Sequence, residues 1–234
     1  MVIRAAGLSL ALSLWAGAAL GECRLALLLA LDVSASVDSE DYVLQRDGLA
    51  SALNLPEIRN AILNGAPGDV ALAAFEWSGR YQQTVVVDWT LLTSDAAIDG
   101  VIARIAGAKR SYKEFPTALG YALGYAAGML QRAPRCDAQV IDVSGDGTNN
   151  EGFQPLSAYM HFPFDEVTVN GLVVMGREPE VVEFYRTEVL RGPGAFLEIA
   201  RGFEDFGDAM ARKLFREVNG LVLGFDAGAE WSPG

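Results

Sequence analysis

Short continuous apolar runs alternate along the chain with segments whose apolar positions recur at helical spacing. The runs LALLLAL at residues 25–31 and AQVIDVSG at 138–145 are typical of strands buried on both faces, as in a parallel sheet. DVALAAFEW at 69–77 predicts another strand. The β-branched segment YQQTVVVDW at 81–89 follows it closely enough to pair with it as an antiparallel edge hairpin. Two further strands are predicted at 167–176 and 195–200.

Helical segments fill the intervals between these strands. We expect Ser39 and Ser94 to cap two of the helices, because a side-chain hydroxyl satisfies the free N–H groups of a first helical turn. Such alternation predicts an α/β fold: one doubly wound, mostly parallel sheet flanked by helices, with one antiparallel edge strand. The predicted helical segments are 39–53, 56–65, 94–107, 117–132, 178–192 and 203–220.

Composition is that of an ordinary globular chain and limits the partners. The sequence has 234 residues, 51% of them hydrophobic, with a formal net charge of −12. Nucleic-acid binding draws on clusters of Lys and Arg that neutralise phosphates. An acidic chain without a basic stripe therefore argues against a nucleic-acid partner.

The first 21 residues have the pattern of a signal peptide. Arg4 precedes an apolar stretch from Ala5 to Leu20, and small residues at Ala19 and Gly21 suit cleavage. The stretch is shorter than the roughly 20 residues that a membrane-spanning helix needs, and no later segment is long and apolar enough. We expect export to the periplasm or the medium, a domain over residues 22–224, a C-terminal tail over 225–234, and no membrane span in the mature chain.

Oxygen-bearing side chains stand where three segments end or begin. Asp32, Ser34 and Ser36 follow the strand at 25–31, Asp146 follows the strand at 138–145, and Thr117 opens a helix. Ligands of open parallel sheets bind beyond the carboxyl ends of the strands. Two carboxylates and three hydroxyls form the oxygen-only set that Mg²⁺ prefers, with Mn²⁺ and Ca²⁺ as alternatives. Mg²⁺ takes six ligands, so five side chains leave one position open.

This set, called the candidate site below, resembles the metal-ion-dependent adhesion site of a von Willebrand factor A (VWA) domain. The resemblance extends over roughly residues 24–220 and is greatest to secreted bacterial VWA-like proteins. It implies that Ser34, Ser36 and Thr117 contact the cation directly while Asp32 and Asp146 act mostly through water. It also implies that another protein supplies a carboxylate as the last ligand, and that the domain binds rather than catalyses.

The sequence departs from the family pattern near the last acid. Gly145 stands where the family usually has Ser or Thr, and Asp142 lies inside a strand that should be buried. Some relatives have a second metal site after the serines; here Asp38 fits its first position and Ser39 does not fit the second. We therefore interpret Asp38 as an acid at the start of a helix.

Two other functions remain open from the sequence. One is a secreted hydrolase that uses the same cation to activate water, for which Glu76 and the single histidine, His161, are the available bases. The other is a VWA-like scaffold that binds a partner without metal. We expect His161 in a loop or at the surface. We expect Glu76, Trp77 and Ser78 to be exposed rim or edge-turn residues near the crevice.

The two cysteines stand at similar distances before the two acids. Cys23 lies nine residues before Asp32, and Cys136 lies ten before Asp146. If the acids serve one metal from neighbouring parallel strands, the cysteines meet at the opposite edge of the sheet. Strands about 4.8 Å apart suit the roughly 4.4 to 6.8 Å between the Cα atoms of a disulfide. We predict a Cys23–Cys136 bond, as export would permit.

Overall fold

A six-stranded sheet forms the centre of the molecule in a computed structural model, which describes residues 23–176 and 179–220. The strand order is β3-β2-β1-β4-β5-β6, and every neighbouring pair is parallel except β2 with β3. The predicted leader and C-terminal tail lie outside the described residues. The strands are β1 Cys23–Asp32, β2 Asp69–Trp77, β3 Gln83–Leu91, β4 Cys136–Gly145, β5 Val167–Val174 and β6 Leu197–Ala200.

Helices cover both faces of this sheet, which confirms the predicted doubly wound α/β fold. On β1, Leu25, Leu27 and Leu29 face one layer, and Leu28 and Ala30 face the other. The whole of β1 is buried, because a strand between two helical layers has no solvent side. The helices are α1 Ser39–Leu53, α2 Pro56–Asn64, α3 Asp95–Ala106, α4 Leu119–Leu130, α5 Pro155–His161, α6 Val181–Phe184 and α7 Phe206–Gly220.

The helix starts differ in detail from the prediction. Ser94 caps α3 as expected, accepting the backbone N–H of Ala97. The cap of α1 is Asp38 rather than Ser39: its carboxylate accepts the N–H groups of Glu40 and Asp41. An acid at this position both satisfies free N–H groups and complements the positive end of the helix. The interpretation of Asp38 as a helix-start acid agrees with this geometry.

Two helical segments are not those that the sequence predicts. The seven-residue helix α5 lies where no helix is predicted; His161 ends it at the surface, in agreement with the expectation for this residue, and its Nδ1 atom lies 2.8 Å from the carbonyl oxygen of Ser157. The helix expected over 178–192 is the short α6, followed by a π-helical turn over Tyr185–Val189. None of the helices in the described ranges is long and apolar enough to cross a membrane.

The cysteines confirm the predicted pairing. Cys23 and Cys136 are register partners at the starts of β1 and β4, their Cα atoms lie 4.4 Å apart, and their sulfur atoms are bonded. The same register brings the opposite ends of β1 and β4 together, since parallel strands keep a constant offset. The disulfide therefore fixes the amino ends of the two strands whose carboxyl ends carry Asp32 and Asp146.

The buried acid of β4 has a partner on the last helix. Lys213 of α7 is fully buried, and its Nζ atom lies 3.0 Å from the Oδ1 atom of Asp142. Glu217, also buried, accepts from the same ammonium group and from Asn170 of β5. One cation thus stands between two carboxylates beneath α7, and this arrangement joins the helix to the sheet.

Candidate metal centre

Three loops meet at the carboxyl edge of the sheet, beside the ends of β1 and β4. Asp32 is the last residue of β1, with Ser34 and Ser36 in the turn that leads to α1. Asp146 comes directly after β4, and Thr117 stands just before α4. Because β1 and β4 are neighbouring parallel strands, their following loops emerge side by side.

Hydrogen bonds join the five residues of the candidate site. The Oδ1 atom of Asp32 accepts the backbone N–H of Ser34 at 2.7 Å. The hydroxyl oxygens of Ser34 and Ser36 lie 3.2 Å apart, and Thr117 donates to the Ser34 hydroxyl at 3.2 Å. Ser36 donates to the Oδ1 atom of Asp146 at 2.7 Å. The structure thus brings together all five residues selected from the sequence.

The acids of the site are buried and close to each other. Asp32 has no exposed surface, and its Oδ2 atom has no hydrogen-bond partner among the described residues. Burial, with the charge of Asp146 adding to it, raises the pKa of Asp32 to about 8. A carboxylate in such a position is stabilised by a positive charge, so the acids fit a cation.

The chemistry of the donor set also bears on the kind of cation that would fit the site. In the described parts of the chain, no three His, Cys, Asp or Glu side chains lie close enough together to hold a metal. The candidate site instead combines two carboxylates with three hydroxyls, which are ligands for hard ions such as Mg²⁺ rather than for ions that favour imidazole or thiolate.

Arg110 supports the serine turn from the side. One guanidinium nitrogen, Nη2, donates to the carbonyl oxygens of Val33 and Ser34 at 3.2 and 2.9 Å. Arg110 also lowers the pKa of Asp32, although burial outweighs this effect. Arg110 could not be selected from the sequence, because nothing in the pattern of the loop AKRSYKEFP distinguishes this cation from Lys109 or Lys113.

Two asparagines hold Thr117 and the start of α4. The Oδ1 atom of Asn150 accepts the N–H of Thr117 at 2.9 Å, and that of Asn149 accepts the N–H of Gly120 at 3.2 Å. The stretch GTNNEG after Asp146 indicated only a turn. In the structure, this turn connects the loop of Asp146 to the segment of Thr117.

The predicted exposed rim at the end of β2 is wrong. Glu76, Trp77 and Ser78 are all buried. Residues 108–118 pass over Glu76 and Ser78, and Trp77 belongs to the apolar cluster that includes residues of α4. Glu76 accepts the phenol of Tyr42 at 2.7 Å and the N–H of Ser111 at 2.8 Å. A carboxylate bonded in this way positions the loop.

Gly145, the departure from the family pattern, faces two buried oxygen atoms. A Cβ atom at this position would lie 2.7 Å from the hydroxyl of Tyr185 and 2.9 Å from the Oδ2 atom of Asp32. Both distances are shorter than ordinary contacts. A side chain at residue 145 is therefore incompatible with the present positions of Tyr185 and Asp32.

Comparison with known proteins identifies the fold. Residues 22–222 match the family model described as Protein of unknown function (DUF1194), and no curated protein matches the chain. The structure of proximal thread matrix protein 1 from the mussel byssus, with a zinc-occupied MIDAS motif, is 14% identical with a TM-score of 0.62, covering 85% of this chain and 49% of that one.

Two other solved structures have the same fold. A von Willebrand factor type A structure from Catenulispora acidiphila is 15% identical with a TM-score of 0.57, and covers 85% of this chain and 42% of that one. The pilus adhesin SpaC from Lactobacillus rhamnosus GG, in an open conformation, is 12% identical with a TM-score of 0.58, and covers 88% of this chain and 31% of that one. This chain spans about half or less of these proteins. At such identities the similarity shows the VWA fold alone.

Proposed function

Since the chain belongs to the DUF1194 family and has the fold of a VWA domain, we propose that it is an exported domain that binds a divalent cation and thereby holds a partner protein. One observation carries the proposal: five oxygen-bearing side chains from three distant segments form one hydrogen-bonded group. The residues that would hold the ion are Asp32, Ser34, Ser36, Thr117 and Asp146.

The chemistry of the donors suits binding to a carboxylate. A bound Mg²⁺, or Mn²⁺ or Ca²⁺ in its place, would supply positive charge at this edge of the sheet. Ser34, Ser36 and Thr117 are neutral donors, so they leave most of that charge uncompensated. Asp32 and Asp146 provide the anionic side of the site, and their burial limits the water that competes with a partner. A partner's Asp, Glu or terminal carboxylate is the ligand that this arrangement favours.

The surface formed by the neighbouring loops has the composition of a protein interface. Tyr81, in the turn between β2 and β3, is 80% exposed, and its ring lies 6.3 Å from that of Tyr121 on α4. Phe153, beyond Asp146, stacks at 4.3 Å on Tyr121, and Phe115 is exposed just before Thr117. Aromatic residues are enriched at protein interfaces. Phe115 and Phe153 come from two of the segments that carry the candidate site.

Export is supported by the disulfide and by the predicted leader. The Cys23–Cys136 bond is of a kind that persists in oxidising compartments such as the periplasm. The leader over residues 1–21 would deliver the chain there. Both features favour a partner outside the cytoplasm.

A binding role agrees better with the site than hydrolysis does. A metal-dependent hydrolase needs a general base beside the water that it activates. Glu76 already accepts two hydrogen bonds, and His161 lies at the exposed end of α5. We therefore propose a non-enzymatic domain.

Affinity capture tests the function. The wild-type domain would be immobilised in Mg²⁺ and exposed to the envelope fraction of the producing cell, with Thr117→Val as the matched control. We expect a protein that is released by chelator, returns with Mg²⁺, and is not retained by Thr117→Val. Equal capture by both baits in chelator would favour the metal-free scaffold. Hydrolysis of an ester or phosphoester panel that Asp32→Ala abolishes would favour the hydrolase.

A further inference from the structure

Two buried polar atoms lie close to Gly145. The hydroxyl oxygen of Tyr185 and the Oδ2 atom of Asp32 both lie within 3 Å of the point where a Cβ atom of residue 145 would stand. Neither atom has a hydrogen-bond partner among the described residues. Leaving such atoms unpaired costs free energy, so their placement near one point needs an explanation.

The backbone is adapted to bring the Tyr185 ring to this place. Tyr185 is the first residue of the π-helical turn that ends at Val189, and its carbonyl accepts the N–H of Leu190 at 2.9 Å. π-Helical turns within helices are frequent at functional sites. Here the turn begins directly after α6, at Tyr185, whose side chain extends to Gly145 beside the candidate site.

A second glycine clears the path of the ring. A Cβ atom at Gly171 of β5 would lie 2.7 Å from the Cδ1 atom of Tyr185. Gly171 pairs with Val143 of β4, two residues before Gly145, so the two glycines lie on the same face of neighbouring strands. The ring therefore passes over Gly171, and its hydroxyl ends beside Gly145.

The two oxygens are complementary in hydrogen bonding. A tyrosine hydroxyl ordinarily keeps its proton at neutral pH and can donate it, and a carboxyl oxygen that carries no proton can accept it.

We propose that Tyr185 is the positioning residue of Asp32: its hydroxyl donates to the Oδ2 atom through one bridging water molecule beside Gly145. The hydrogen bond fixes the orientation of the carboxylate and links the π-helical turn to the cation site. The effect on metal affinity rests on the proposed function, whereas the hydrogen bond itself does not. Neighbours that orient a metal ligand typically change metal affinity by about 10- to 100-fold when they are removed.

Two variants test the proposal through Mn²⁺ affinity, measured by isothermal titration calorimetry. Tyr185→Phe removes only the hydroxyl, and we expect about tenfold weaker Mn²⁺ binding by a folded protein. Gly145→Ser places a side chain against both the phenol of Tyr185 and the carboxyl group of Asp32, and should also weaken binding.

The same variants separate this inference from the proposed function. In EDTA, Tyr185→Phe should lower the urea midpoint by about 0.5 M when Asp32 is present and leave it unchanged in an Asp32→Ala background. If the wild type binds no Mn²⁺, the proposed function fails, but the difference between the midpoint shifts with and without Asp32 still decides the role of Tyr185. Equal midpoint shifts in both backgrounds, or wild-type Mn²⁺ affinity in Tyr185→Phe, would overturn the inference.

Discussion

The hydroxyl of Ser36 donates a hydrogen bond to the Oδ1 atom of Asp146, 110 residues further along the chain, at 2.7 Å. This bond joins the turn after β1 to the loop after β4 without a metal ion. It is therefore the part of the candidate site that can be tested in the metal-free protein.

Removing the Ser36 hydroxyl should reveal this bond. In EDTA, we expect Ser36→Ala to lower the free energy of unfolding by about 1 to 2 kcal/mol, because the acceptor is a carboxylate. The loss should shrink in an Asp146→Ala background, and the difference is the coupling of the pair. Urea denaturation measures it, with Ser39→Ala as the control on the exposed start of α1. Strictly additive losses would show that the two loops do not meet.

The disulfide should contribute to stability and not to metal binding. Breaking a bond between residues 113 positions apart frees a long loop in the unfolded chain, so Cys23→Ser with Cys136→Ser should cost about 2 to 4 kcal/mol. The cysteines lie about 30 Å from the carboxyl end of β1, given the rise of a ten-residue strand. Urea midpoints of the oxidised and reduced wild type measure the cost. Identical midpoints would contradict the account.

Lys213 should be among the residues least tolerant of replacement. Lys213→Met leaves the carboxyl groups of Asp142 and Glu217 buried without their cation, and breaking a buried pair in this way costs about 3 to 5 kcal/mol. Lys109→Met, an exposed lysine, is the control and should change the free energy of unfolding by less than about 0.5 kcal/mol. A loss below about 1 kcal/mol for Lys213→Met would show that the ion pairs are not formed as described.

Asp142 predicts a specific dependence of stability on pH. Burial raises the pKa of Asp142 to about 7. The charge of Lys213 on α7 opposes this shift, and the charge of Glu217 on the same helix adds to it. An unfolded aspartate loses its proton near pH 4. In the folded chain, Asp142 keeps its proton up to a higher pH than in the unfolded chain, so the free energy of unfolding should fall as the pH rises from about 4 to 7.

Asp142→Asn isolates this contribution, since the amide does not titrate. We expect its thermal midpoint to depend less steeply on pH than that of the wild type between about pH 4 and 7, measured in EDTA. The comparison with the wild type is needed because the raised pKa of Asp32 also makes the stability fall as the pH rises. Parallel curves for the two proteins would contradict the assigned shift.

The fold and the candidate site could be predicted because both depend on local patterns. The run DVALAAFEW coincides with β2, and the predicted disulfide follows from counting along neighbouring parallel strands. The five site residues stand at the ends of regular elements, where topology determines which loops meet. The strand order and register then bring these residues to the same edge of the sheet.

The remaining features depend on tertiary contacts that no periodicity encodes. Glu76 is buried because a long loop crosses it. In the sequence, Lys213 looks like a solvent-facing position of an amphipathic helix, whereas in the structure it is buried and paired with Asp142 of the sheet. The hydroxyl of Tyr185 lies beside Gly145, and this placement involves a π-helical turn and a second glycine, Gly171, on another strand. Helix α5, at seven residues, is too short to show helical periodicity.

Titration of the purified domain with Mg²⁺ and Mn²⁺ tests the central claim most directly. By calorimetry, we expect one ion per wild-type chain, with affinity lower by about 100-fold or more in Asp32→Ala and Asp146→Ala. Both variants should still show the circular dichroism spectrum of a folded α/β protein. Equal ion binding by all three proteins, or none by the folded wild type, would contradict the claim that these oxygens form a cation site.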